Sequence, residues 1–170
     1  PMSRGFIKED DQEEAPFIPP RAALPDGVAN YVTPRGLHLL QEEKAALEAE
    51  RGAEHESEDA RRRAWAVLDG ELALLEERIV TARVVEPQPG RQKEVRFGNT
   101  VTVRFVNGPQ QGTERDLTIV GVDEADVKEG RISFTAPIAR ALIGRRVGQV
   151  AAFPLGQGEQ RLKVLAIAPH

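Results

Sequence analysis

The sequence predicts an α+β protein: an antiparallel helical hairpin of coiled-coil type, followed by a small antiparallel β-domain with one short helix. Three observations carry that expectation. Between Thr33 and Pro87, apolar residues recur every three or four positions in two runs joined by a polar link, as in two amphipathic helices folded back on each other. Pro87, Pro89 and Gly90 then break the pattern. Beyond them Val101, Val103 and Phe105 alternate with Thr102 and Arg104, the period of a half-buried strand.

Residues 1–30 read as a flexible acidic tail. Glu9, Asp10, Asp11, Glu13 and Glu14 repel one another, and Pro16, Pro19, Pro20 and Pro25 deny the segment regular structure. Phe6, Ile7, Phe17 and Ile18 offer points at which it can be pinned to a neighbouring surface.

The hairpin is assigned to residues 31–87. Thr33 is the expected N-cap of its first helix, with Pro34 at the first helical position and Val32 and Leu37 at the spacing of a hydrophobic staple. Leu37, Leu40, Leu47, Ala45 and Ala49 form its apolar stripe, and Gly52 weakens its end. The second helix is expected from Ala60 to about Val84, with a stripe of Ala64, Val67, Leu68, Leu72, Leu75, Ile79 and Ala82. Trp65 and Leu74 lie at its margins. Setting Leu40 opposite Ile79 puts the turn at Glu56–Asp59 and gives arms of roughly 35 Å at 1.5 Å per residue.

The β-domain is assigned to residues 88–170. Further strands are expected at Leu117–Gly121, Arg131–Thr135, Gln149–Pro154 and Arg161–Ala168. A short helix opened by Pro137 runs to Gly144, with Ile138, Leu142 and Ile143 facing inward.

Composition limits the function classes. The chain has 170 residues, a net charge of −4 and no cysteine, which excludes disulfides, thiol catalysis and cysteine metal sites. No apolar run approaches the ~20 residues of a membrane helix, and the start has no signal-peptide core, so a cytoplasmic setting without membrane contact is expected. Acids outnumber bases 13 to 8 over residues 33–87, and bases outnumber acids 12 to 8 over residues 88–170. An acidic protein is a poor nonspecific binder of nucleic acid.

The available chemistry is concentrated at the hairpin tip. Histidine occurs only at positions 38, 55 and 170, and neither a nucleophile triad nor a phosphate-cradling glycine loop is visible. Glu54, Glu56, Glu58 and Asp59, with His55 and Ser57 among them, stand where the two helices meet. Such carboxylates either hold a hard cation such as Mg²⁺ or form a solvated turn whose acids favour a helix start. Arg61, Arg62 and Arg63 follow, suited to a nucleic-acid backbone or to pairing with the neighbouring acids.

Four stretches together resemble the bacterial GreA/GreB transcription elongation factors over most of residues 31–168. They are YVTPRGLHLL, LDGELALLEERIVTARVVEP, VRFGNTVTVRF and IVGVDEADVKEGRISFTAPIARALIGRRVGQV. The tail MSRGFIKEDD resembles a GreB-like subgroup. The resemblance implies an FKBP-like C-terminal domain that docks at the rim of the RNA polymerase secondary channel while the hairpin reaches down it. It also implies a polymerase-binding loop at Thr135, Ala136, Pro137, Ile138, Ala139 and Arg140, with Ala136 where the family usually has serine. Nascent RNA and DNA are then met only inside the elongation complex.

In that family the tip acids help the polymerase, not the factor, hold a second Mg²⁺ and cleave backtracked RNA. The chain is accordingly expected to be no enzyme and to need no cofactor of its own. Here the family tip motif G-D-x-x-E-N is missing. Its glutamate falls on Glu54, its asparagine on His55 and its aspartate on Arg51. About sixteen residues are absent from the first arm, a shortening that resembles Rnk, which is related to the Gre factors and enters the channel without promoting cleavage. Three expectations follow: a Gre-type factor that stimulates cleavage through Glu54, Glu56, Glu58 and Asp59; an Rnk-like regulator that does not; and, from the FKBP-like domain, a peptidyl-prolyl isomerase. The last is disfavoured because the β-domain offers only Phe97, Phe105, Phe134 and Phe153 as aromatics.

Overall fold

The hairpin arms are unequal. In the computed structural model, which describes residues 15–170, α1 spans Pro34–Gly52 and α2 spans Glu58–Thr81. With 19 and 24 residues they are about 28 and 36 Å long. Thr33 caps α1, its hydroxyl accepting from the Gly36 N–H at 2.9 Å. Ser57 caps α2 in the same way, accepting from the Ala60 N–H at 3.0 Å. The turn is therefore residues 53–57, slightly earlier than the expected Glu56–Asp59.

Leu68, Leu72 and Leu75 form the buried stripe of α2. On α1 the covered positions are Gly36, against the β-domain, and Leu37, Leu40, Lys44, Leu47 and Arg51, while Ala45 and Ala49 face solvent. Steps of three and four from Leu37 lead to Lys44 and Arg51, both half-buried, and the Arg51 head engages Trp65 and Asp69 of the partner helix. The alanines lie off that line.

Two-residue strands close the base of the hairpin. β1 (Tyr31–Val32) and β2 (Arg83–Val84) pair in parallel, with Tyr31 opposite Arg83. Asn30, itself buried, donates from its amide to the Arg78 carbonyl at 2.9 Å and so caps the end of α2.

Five strands make the second sheet: β3 (Thr100–Phe105), β4 (Glu114–Val120), β5 (Arg131–Ser133), β6 (Val150–Leu155) and β7 (Gly158–Ala168), in the order β5-β4-β3-β7-β6. All neighbours are antiparallel except β5, which runs parallel to β4 and so modifies the all-antiparallel expectation. Parallel neighbours need a crossover; here it is the loop from Gly121 to Gly130, with a 3₁₀ turn at Val127–Glu129.

Val101, Val103, Ile119, Leu162 and Val164 point to one face, where α3 (Pro137–Leu142) covers them with Ala139 and Leu142. Ile143, expected inside, is 40% exposed, and Ala139 takes the inner place. Across the outer face, cross-strand pairs join Thr102 to Asp116 at 2.7 Å and Arg104 to Glu114 at 2.9 Å.

Residues 15–30 have no regular secondary structure, but several are held against the hairpin. Ile18 is half-buried against α2, and Arg21 is half-buried and held in ion pairs. Phe17 is exposed. The expectations placed on Phe6, Ile7 and the acids Glu9 to Glu14 lie outside the described residues.

Candidate functional site

The tip is built around Trp65. Its indole N–H donates to the Arg51 carbonyl at 2.8 Å, satisfying a carbonyl that the end of α1 leaves free. The Arg51 and Arg61 guanidiniums lie over the ring at 3.9 and 5.0 Å from its centre. Arg51 also donates to Asp69 at 2.6 Å, and that hydrogen bond raises its pKa above the ordinary arginine value.

The four candidate acids are exposed and fall into two kinds. Glu58 pairs with Arg61 at 2.5 Å and Asp59 with Arg62 at 3.4 Å, both within the first turns of α2. Glu54 and Glu56 precede the cap, exposed, and neither pairs with a cation among the described residues. Among the described residues no group of three His, Asp or Glu side chains is arranged to hold a metal ion. The expected cluster is thus divided between helix-start pairs and two outward carboxylates, and Arg63 is exposed beside them.

The loop from Thr135 to Arg140 is divided too. Pro137 and Arg140 are exposed, Thr135, Ala136 and Ile138 are half-buried, and Ala139 is fully buried. Ala139 therefore supports the loop from inside and cannot touch a partner. Thr135 is fixed by Ser133, whose hydroxyl accepts from its N–H at 3.1 Å and lies 2.7 Å from its hydroxyl. The cap at Ala136 has no side-chain hydrogen bond, consistent with alanine there.

Between hairpin and β-domain the sequence shows little, and the structure shows two joints. One is aromatic: Tyr31 of β1 packs on Phe97 and Phe134 with ring centres 6.0 and 5.7 Å away, beside a cleft of about 590 Å³. Phe105 lies in the core instead. The other joint is ionic. Asp123 accepts from Arg21 at 3.0 Å and from Arg78 at 2.9 Å. Glu124 accepts from the Thr33 hydroxyl at 2.5 Å and from Arg35 at 2.8 Å. Both carboxylates are nearly inaccessible, at 6% and 2%. Because Thr33 also caps α1, one residue ties the start of the hairpin to the β-domain. The partners are 45 to 102 residues apart, so no local pattern announces them.

The fold class is a helical hairpin joined to a β-domain, with exposed acids at the hairpin tip. Comparison with known proteins makes that class specific. The family described as transcription elongation factor GreA/GreB, C-term, matches residues 90–169. The chain is 34% identical over 141 residues to transcription elongation factor GreA of Acidiphilium cryptum, covering 76% of this chain and 86% of that protein. It is 38% identical over 100 residues to GreA of Hyphomonas neptunium, covering 59% of this chain and 62% of that protein, less than two thirds of its length. Among solved structures, GreA factor homolog 1 (Gfh1) of Thermus thermophilus aligns at 20% identity with a TM-score of 0.37, over 82% of this chain and 99% of that one. The chain belongs to the GreA/GreB family of transcription elongation factors.

Proposed function

We propose that the chain binds RNA polymerase with its β-domain at the rim of the secondary channel and its hairpin inside, and regulates elongation without promoting transcript cleavage. The family supports the partner. The hairpin supports the rest: α1 has only 19 residues, and Glu58 and Asp59 are engaged by Arg61 and Arg62. A carboxylate ligates Mg²⁺ only at about 2.0–2.1 Å, so an arm shorter by even one helical turn does not reach the metal. In this reading the only metal involved is the polymerase's own, and nascent RNA is met only within the elongation complex.

RNA cleavage in a backtracked complex, with and without the protein at fixed Mg²⁺, is the test. The expected result is no stimulation, together with competition against a long-armed Gre factor. Stimulation lost on replacing Glu54 and Glu56 with Gln would establish the cleaving reading instead, which their exposure outside ion pairs favours. Docking is tested separately with Pro137→Asp/Arg140→Glu, both exposed positions. Retention on polymerase should fall about tenfold or more with folding intact.

The isomerase reading has one observation behind it, the placing of Tyr31 beside Phe97 and Phe134. Turnover of a prolyl peptide that is lost in Tyr31→Ala would displace the channel reading.

A further inference from the structure

The N-terminal segment touches both arms of the hairpin and the β-domain. Arg21 donates through both terminal nitrogens to Glu43 of α1, at 2.7 and 3.0 Å, and through Nε to Asp123 at 3.0 Å. Arg78 of α2 answers from the other side, donating to Asp123 at 2.9 Å and to the Ala22 carbonyl at 2.5 Å. Ile18 lies on Gly70 of α2 so closely that a Cβ there would be 2.0 Å from its Cδ1. The side chain of Arg21 is only 16% exposed.

We infer that residues 18–22 are a strap that fixes the direction of the hairpin relative to the β-domain, with Arg21 as its positioning residue. The planar fork of arginine binds Glu43 with two parallel N–H groups while its Nε reaches Asp123 on a different element. The charges balance: Arg21 and Arg78 face Glu43 and Asp123, so no buried charge is left over. Pro19, Pro20 and Pro25 stiffen the segment, so holding it in place costs little chain entropy. Without the strap, the β-domain would keep Arg78 and the Thr33–Glu124 joint at the hairpin base but lose its bridge to α1 at Glu43. The geometry stands independently of the channel reading; its consequence for where the tip arrives rests on that reading.

The chain has no cysteine, so two introduced ones report cleanly. Spin labels at Ala66→Cys near the tip and Gln157→Cys on the β-domain, both exposed in the free protein, give the tip-to-domain distance distribution. In Arg21→Ala the distribution should broaden and shift, and Arg21→Lys, which keeps the charge but not the fork, should fall between. Gly70→Leu provides the second arm. Leucine favours the helix but fills the seat of Ile18, so tryptic cleavage after Arg21 should accelerate about tenfold as the strap opens, and the distribution should broaden as in Arg21→Ala. A released strap with an unchanged distance distribution overturns the inference. So does Gly70→Leu with cleavage as slow as in the parent. Neither outcome depends on polymerase, so failure here is distinct from failure of the docking variant.

Discussion

Asp123 shows how one side chain governs a joint. It accepts from two guanidiniums, each from a different segment, and is almost wholly removed from water. Asp123→Asn keeps the shape, removes the charge and leaves Arg78 without a carboxylate partner. The expected loss is about 2–4 kcal/mol, read as a lower urea midpoint, because breaking a buried pair leaves an uncompensated charge. The hydrogen bond to Glu43, opposed by burial and reinforced by the Asp123 charge, raises the Arg21 pKa. The arginine is therefore charged wherever the protein is folded. None of this is legible in the sequence. A pairing across 102 residues has no local signature.

At the scale of elements, the strongly periodic features are legible. Thr33 with Pro34 announces the start of α1, and alternation over Val101–Phe105 announces β3. The expectations differ from the structure where two solutions satisfy the same period. Lys44 and Arg51 occupy the seam in place of Ala45 and Ala49 because long side chains cover more of α2 than a methyl group does. Two-residue strands such as β1 and β2 are too short to show a period at all. Trp65, expected at the margin of a stripe, is instead the clasp of the tip. Trp65→Phe keeps an aromatic ring, though a smaller one, but removes the bond to the Arg51 carbonyl. The expected cost is about 1 kcal/mol, seen as faster amide exchange at Gly52–Ser57 while the β-domain amides are unchanged.

For the whole molecule, the family and the order of the two parts could be read from the sequence, but their mutual placement could not. That placement depends on an aromatic contact through Tyr31 and an ionic one through Asp123 and Glu124, each joining residues distant in the chain. The candidate site was legible as a set of residue types at the tip. Its division into paired acids, Glu58 and Asp59, and outward acids, Glu54 and Glu56, required the helix start to be located at Ser57.

The parallel pairing of β1 with β2 has a consequence of another kind. It sets the two ends of the hairpin side by side, so the arms leave from a narrow neck at their base. Whatever is added to or removed from both arms in step leaves that neck undisturbed. Inserting a matched seven residues into each arm should lengthen the molecule by roughly 10 Å, read as a larger maximum dimension in solution scattering, with the β-domain spectrum preserved. Arm length is then a trait that heredity can vary in heptad increments, and descendants of one ancestor can diverge in what they do at the far end without redesigning what holds them in place.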